Sequence, residues 1–102
     1  MAKNNTFTIN GKKINALPFD FNLVCDLDDM GIAVNDIHEK QNAFLRAYIS
    51  LCLGVSKEVA GAEIQAHIIG GGTFEDAVEA IVKELNDSDF FQALTKNAAE
   101  KN

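Results

Sequence analysis

The stretch NDIHEKQNAFLRAYISLCLG, residues 35–54, decides the fold because it is the most apolar segment of the chain. On a helix with about 100° per residue, its large apolar side chains fall within an arc of roughly 200°. A surface helix needs an apolar stripe of only about 100°, so this helix must be covered on at least two sides. We therefore predict a central helix over residues 36–53, with the other elements packed around it.

The composition indicates a single acidic domain over residues 1–102. The chain is 47% hydrophobic, as is ordinary for a globular protein, and its formal charge is −6 at pH 7. Its nine Lys and Arg residues are scattered. Binding to nucleic acid or to a membrane surface is therefore not expected, because both need clustered positive charge. The sequence shows no apolar leader and no run of about eighteen apolar residues, so we expect a cytosolic protein.

Residues 6–17 carry the pattern of a β-hairpin. Polar and apolar residues alternate from Thr6 to Ile9, Asn10-Gly11 is a strong signal for a tight primed turn, and a strand-like pattern resumes at Lys12. A hairpin alone is only marginally stable in water. Its apolar side, Phe7 and Ile9 with Ile14, must therefore lie on the helices or on another chain.

Residues 20–99 are predicted to be a helical region, and residues 100–102 a loose tail. The caps and apolar spacing predict four helices besides the central one: Phe21 to Met30 after Asp20, Lys57 to Ile69 after Ser56, a helix after Thr73, and Asp89 to about Ala99. The helix after Thr73 has a clean apolar face made of Phe74, Ala77, Val78, Ile81, Val82 and Leu85. Gly70 to Gly72 predict a flexible joint before it. The fold class is thus mainly α, with an N-terminal hairpin and about five helices.

The helix predicted after Ser56 has apolar residues on two nearly opposite sides. One stripe is Val59, Ala62, Ala66 and Ile69, and the other is Ala60, Gly61, Ile64 and Ile68. A small domain seldom covers both sides of one helix. The stripe with Ile64 and Ile68 is therefore a candidate contact surface for a partner or for a second copy of the chain. The alternative is that both stripes are internal.

Candidate catalytic and metal sites in the sequence are weak. The segment starting at Asp26 opens like a calcium loop, but Ile37 stands where that loop needs a bidentate glutamate. Cys25 and Cys52 lack metal-ligand or redox spacing and are interpreted as reduced core thiols. His67 follows Glu63 by one helical turn, which is the spacing of a surface ion pair. No catalytic residue, metal or cofactor is predicted, and the protein is not expected to be an enzyme.

Three short motifs follow one another in the first half of the chain: FTINGK at 7–12, LPFDFN at 17–22 and LDDMGI at 27–32. In order and spacing they resemble the tail assembly chaperones of long-tailed, siphovirus-type bacteriophages and prophages. The likeness continues more loosely through the central helix and the Ser56-capped helix to Phe90-Phe91. One departure is Asp26, where the family pattern has glutamate.

The resemblance implies a protein of the host bacterial cytoplasm that binds the tape measure protein. It keeps that long apolar chain soluble while the tail tube assembles, and it is absent from the mature virion. The resemblance also implies self-assembly into a homo-oligomer, the tail tube protein as a second candidate partner, and a longer product made by ribosomal frameshifting. Binding of an apolar helix in a groove fits the apolar pattern. The predicted partner-binding residues are Ile64, Ile68, Phe90, Phe91 and Leu94.

Two other functions remain open on the sequence alone. The chain could be a structural tail or connector protein that is retained in the virion. It could also be a small acidic regulator that binds a basic protein surface. The five carboxylates between Asp20 and Asp36, with no basic residue among them, would form that acidic edge.

Overall fold

A β-hairpin and six helices make up the part of the chain that the computed structural model describes, residues 5–100. The strands are β1 (Thr6–Ile9) and β2 (Lys12–Asn15), and the helices are α1 (Phe21–Asp29), α2 (Asp36–Glu39), α3 (Gln41–Leu53), α4 (Lys57–Ile69), α5 (Glu75–Asp87) and α6 (Asp89–Glu100). The predicted mainly α fold with an N-terminal hairpin is confirmed. Of the predicted loose tail, Glu100 is the last residue of α6, and residues 101–102 lie outside the described part.

The hairpin has the predicted turn and the predicted buried side. Asn10 and Gly11 both have positive φ, 53° and 77°, as a primed two-residue turn requires. Phe7 pairs with Ile14 across the two strands, and both are buried together with Ile9. This side lies on the helices, because β1 packs against α4 and α5 while β2 packs against α3.

The central position of α3 is confirmed, but the predicted helix over residues 36–53 is divided at Lys40. Lys40 has φ −131° and ψ 61°, which is not helical, so α2 ends before it and α3 begins after it. No glycine or proline marks this break in the sequence. Beyond it, α3 is covered by α1, α2, α4 and β2 and ends at Gly54, whose φ is 70°.

Small residues allow α4 to pack closely on α3. Ala47 and Ser50 lie outside the wide apolar arc of the sequence pattern, yet both are buried, and Ala60 of α4 is also buried. At Gly61, an added Cβ would lie 3.4 Å from Cδ of Arg46. The buried hydroxyl of Ser50 donates to the carbonyl oxygen of Val55 at 2.6 Å. The interface between α3 and α4 is therefore tight and its polar group is satisfied.

Phe19 is the centre of an aromatic cluster that joins three parts of the chain. Its ring stacks on Tyr48 with centroids 5.4 Å apart and also packs against Phe44 at 6.2 Å and edge-on against Phe91 at 6.0 Å. The Tyr48 hydroxyl donates to the carbonyl oxygen of Leu17 at 2.7 Å. Burial raises the pKa of Tyr48 well above its ordinary value. The cluster fixes the segment before α1 and the start of α6 onto α3.

The buried side of α5 coincides only in part with the apolar face that the sequence predicts, through Ala77 and Ile81. Its buried residues are Ala77, Ala80, Ile81 and Glu84. The hairpin packs on this helix, and Nδ2 of Asn5 donates both to the carbonyl oxygen of Ala80 at 2.9 Å and to Oε2 of Glu84 at 2.8 Å. Because the hairpin takes the side with the small residues, Val78 and Val82 remain about half exposed.

Candidate binding groove

An open apolar groove lies between α3 and α5. It consists of two adjoining clefts of about 370 and 250 Å³ that share Asn42, Leu45 and Phe74. The first cleft is lined in addition by Ala43, Arg46, Gly61 and Ile64, and the second by Ile37, His38, Gln41, Phe44, Val78, Ile81, Val82 and Leu85. The lining residues come from α2, α3, α4 and α5 and from Phe74, which immediately precedes α5. We call this surface the α3–α5 groove.

The α3–α5 groove has a buried floor and a partly exposed apolar wall. Phe44 and Leu45 of α3 and Ile81 of α5 belong to the core and form the floor. Val78 and Val82 form the wall, with 50% and 46% of their surfaces exposed. Valine side chains that stay half in water are places where a second apolar surface would gain by packing.

Charge is distributed unevenly around the groove. Glu75 and Glu79 are exposed on α5 and lie within about 60° of Val82 around the helix. On the side of α3 and α4, Arg46 is the one Lys or Arg among the lining residues. The α5 rim next to Val82 therefore carries two carboxylates, and exposed Lys83 follows Glu79 by one helical turn.

The structure places the five predicted partner-binding residues on two helices. Ile64 of α4 lines the groove and packs against the core. Ile68 of the same helix is 44% exposed but lies outside the groove lining. Phe90, Phe91 and Leu94 are on α6 and are half-buried. Of the five, Ile64 alone lines the groove, and their role as partner contacts stays a prediction.

Phe90 and Phe91 of α6 pack against different aromatic rings. Phe91 packs edge-on against Phe19 in the aromatic cluster. Phe90 packs edge-on against Phe21, with ring centroids 5.8 Å apart, and the Phe21 ring is largely exposed. Phe91 is therefore mainly a core residue, while Phe90 belongs to a surface aromatic pair.

The two apolar stripes of α4 have different environments. Ala60 and Ile64 pack inward, whereas Val59 and Ile69 on the opposite stripe are exposed. The alternative interpretation, in which both stripes are internal, is wrong for this reason. Sequence spacing shows that α4 has two apolar sides, but it does not show which of them faces α3.

The sequence pattern of α5 does not reveal that Val78 and Val82 line a groove. Val78 and Val82 belong to the apolar face that the sequence predicts for this helix, together with Phe74, Ala77, Ile81 and Leu85. Ala77 and Ile81 are buried as that face predicts, but the hairpin packs over Ala80, whose short side chain leaves room for it, and Val78 and Val82 stay half exposed. A helix can have large apolar side chains on one face and small ones on another, and either face can be the buried one.

A polar cluster holds the hairpin turn against α4 and the loop after it. The N–H of Asn10 donates to Nδ1 of His67 at 2.9 Å, and Nε2 of the same ring lies 2.8 Å from the carbonyl oxygen of Thr73. Nδ1 accepts, so Nε2 carries the proton and donates to Thr73. Nδ2 of Asn10 also donates to Oε1 of Glu63 at 2.9 Å, and Lys12 Nζ lies 3.6 Å from Oε2. We call Asn10, Lys12, Glu63, His67 and Thr73 the hairpin-tip cluster.

The hairpin-tip cluster changes the interpretation of Glu63 and His67. Their helical spacing predicts an ion pair with each other, but both side chains instead contact the Asn10 turn. The hydrogen bond from Asn10, together with the charge of Lys12, lowers the pKa of the Glu63 carboxyl. The prediction of a Glu63–His67 ion pair is therefore wrong, because long-range contacts take both side chains.

The glycines before α5 form a hydrogen-bonded turn. The N–H groups of Gly70, Gly71 and Gly72 donate to carbonyl oxygens in the last turn of α4, at 2.8–3.0 Å. Gly71 has φ 94°, and a Cβ on Gly72 would lie 2.3 Å from Cε1 of His67. Glycine is thus required here for backbone conformation at one position and for space beside the imidazole at another.

The described residues offer little for covalent or metal chemistry. Cys25 and Cys52 are both free, and burial raises the pKa of the Cys52 thiol to about 11, so little nucleophilic thiolate is present near neutral pH. Within residues 5–100, no group of His, Cys, Asp and Glu is placed to hold a metal ion. No helix in this part of the chain is long and apolar enough to cross a membrane.

Comparison with models of protein families, with curated proteins and with solved structures gives no significant match. The fold and the groove define a small acidic helical domain with an open apolar groove.

Proposed function

We propose that this protein is a tail assembly chaperone of a long-tailed bacteriophage or prophage, which binds the tape measure protein and keeps it soluble during tail tube assembly. The observation that carries the proposal is the α3–α5 groove, an uncovered apolar surface on an acidic helical domain. The three motifs at 7–12, 17–22 and 27–32 support the same family. In this proposal the protein acts in the host cytoplasm and is absent from the finished virion.

The proposed mechanism needs no nucleotide or cofactor. The tape measure protein is long, helical and apolar, and such helices aggregate unless their apolar sides are covered. A groove with half-exposed valines covers part of such a helix, and the net charge of −6 keeps the complex in solution. Copies that associate with one another along one tape measure chain would bind with avidity, so each single contact can be weak.

Partner contact at the five predicted residues remains part of this proposal. Ile64 lies in the groove, and Ile68 is exposed further along α4. Phe90, Phe91 and Leu94 would form a second contact on α6. Self-association and binding to the tail tube protein are likewise proposed.

Co-expression with the tape measure protein tests the proposed function. The soluble fraction of the tape measure protein should rise severalfold in the presence of this chain. An unrelated acidic protein of similar size should give no such rise, which controls for a general effect of charge. Equal solubility with and without this chain would contradict the proposal.

Two further measurements separate this function from its alternatives. A structural tail or connector protein should be found by mass spectrometry in purified virions, whereas a chaperone should be missing. A regulator that binds through the acidic edge between Asp20 and Asp36 should lose affinity steeply as salt increases. Binding that rests mainly on the apolar lining of the groove should depend on salt much less steeply.

A further inference from the structure

We infer that the α3–α5 groove receives one amphipathic helix of the partner, about three turns long, whose apolar stripe is flanked by basic residues. The identity of the partner rests on the proposed function. The shape and charge of the occupant follow from the groove itself.

The length of the groove fits a helix. Its α5 side runs from Phe74 to Leu85, which at 1.5 Å per residue is about 16 Å, or three helical turns. A helix that lies along it can place apolar side chains at positions i, i+4, i+7 and i+11 against the wall and floor. The groove is open to solvent along this path, so a small ligand would leave much of it uncovered.

The lining of the groove argues against an extended peptide. A peptide that binds as a strand needs the free edge of a sheet, which supplies backbone hydrogen bonds. All lining residues of the groove lie on helices, except Phe74 immediately before α5. The available contacts are side-chain contacts, at Val78 and Val82 above Leu45 and Ile81. An occupant that satisfies its own backbone, as a helix does, suits such a surface.

The carboxylates beside the groove favour a basic partner helix over a second copy of this chain as the occupant. Exposed Glu75 and Glu79 lie next to Val82 around α5, Glu79 at a separate cleft that Asp76 and Lys83 also line, and the chain carries a net charge of −6. A second copy would bring the same excess of carboxylates to this rim, where like charges repel. A helix with Lys or Arg beside its apolar stripe would instead pair with both glutamates.

Two synthetic helical peptides of about eighteen residues test this inference on the full chain. Both carry leucine at i, i+4, i+7 and i+11, and the flanking residues are lysine in one and glutamate in the other. The lysine peptide should bind at least tenfold more tightly by fluorescence anisotropy. It should also shift the NMR signals of Val78, Ile81 and Val82 in the labelled protein. Equal binding of the two peptides, or no binding of either, would overturn the inference.

Two valine substitutions supply a matched pair of variants. Val78 in the groove and Val59 outside it are 50% and 47% exposed, and both are near the start of a helix. Val78→Asn should weaken binding of the lysine peptide at least tenfold, while Val59→Asn should change it less than twofold. Circular dichroism of both variants checks that the fold is kept. Equal losses in the two variants would place the peptide elsewhere.

A double substitution tests whether the carboxylates of the α5 rim select the basic peptide. Glu75→Gln combined with Glu79→Gln removes the charge from the rim but leaves the apolar wall unchanged. This double variant should reduce the preference for the lysine peptide over the glutamate peptide at least threefold. An unchanged preference would mean that the rim does not select the partner.

The same variants separate this inference from the proposed function. If Val78→Asn keeps the tape measure protein soluble as well as the wild type does, the function stands and the groove inference fails. If the wild type does not solubilise that protein but its groove binds the lysine peptide, the function fails and the groove inference stands. Sedimentation gives a last outcome: an oligomer that dissociates on Val78→Asn would mean that a second copy occupies the groove, which overturns the inference.

Discussion

Replacing Phe19 with alanine should destabilise the protein far more than replacing Phe21, although the two residues are only two positions apart. Phe19 is 1% exposed and contacts the rings of Tyr48, Phe44 and Phe91. Phe21 is 62% exposed and contacts Phe90 at the surface. The pair therefore compares a core aromatic residue with a surface one in the same segment.

The magnitude follows from burial and from the aromatic contacts. Truncating a buried phenylalanine to alanine costs about 3–5 kcal/mol, because transfer free energy is lost and a cavity remains. With three ring neighbours, Phe19→Ala should lie in the upper part of this range. For Phe21→Ala, the small buried area and one edge contact give about 1 kcal/mol. The melting temperature should fall by about 15–25 °C in the first variant and by about 5 °C in the second.

Urea denaturation followed by far-UV circular dichroism at 25 °C measures both free energies of unfolding. Small natural domains have about 5–15 kcal/mol of stability, so Phe19→Ala could leave too little folded protein to measure. Phe19→Leu then serves in its place, with an expected loss of about 1–2 kcal/mol, since it keeps most of the volume but loses the ring contacts. If the Phe21 variant loses as much as the Phe19 variant, the aromatic cluster is not the centre of the core.

Two further predictions concern the hairpin-tip cluster and a buried thiol. Gly72→Ala should lower the free energy of unfolding, measured by urea denaturation, by about 1–2 kcal/mol, since its Cβ displaces the His67 ring from two hydrogen bonds. In a His67→Ala background the same substitution should lower it much less. Equal losses in both backgrounds would contradict the clash between this Cβ and the ring. In a Cys25→Ser variant, alkylation of Cys52 should speed up about tenfold per pH unit from pH 8 to 10, because its pKa is about 11 and thiolate is the reactive form. The unfolded chain in guanidinium should reach its maximum rate nearer the ordinary thiol pKa of 9.0, and a plateau at that pH in the folded protein would refute the effect of burial.

Local sequence signals predict the elements of this fold well. Asn10-Gly11 adopts the expected primed turn, Asp20 accepts from the N–H of Leu23 at 2.9 Å, and Ser56 accepts from that of Val59 at 3.2 Å. Each of these signals acts through backbone geometry within three residues, so the rest of the chain hardly affects it. The break at Lys40 has no such signal, since neither glycine nor proline is present and the apolar pattern runs on through it.

The candidate groove was not predictable because it depends on a choice between two sides of α5. Hydrophobicity favours burial of the side with Val78 and Val82. The structure buries Ala77 and Ile81 of the predicted face, but it buries Ala80 and Glu84 in place of the two valines, because the hairpin fits there and Asn5 satisfies the Glu84 carboxylate. The Asn5–Glu84 hydrogen bond joins residues 79 positions apart. No local pattern reports such a contact, so a polar residue at a core position was not anticipated.

The contact between β1 and α5 also determines when the fold can be completed during translation. At about 5–20 residues per second, a ribosome needs roughly 4–16 s to pass from Asn5 to Glu84, its hydrogen-bond partner 79 positions later. During that time Phe7 and Ile9 have been made, but the helix that covers them has not. The apolar side of β1 therefore stays exposed for most of the time in which residues 5–84 are translated. The native fold can be completed only after α5 has been made.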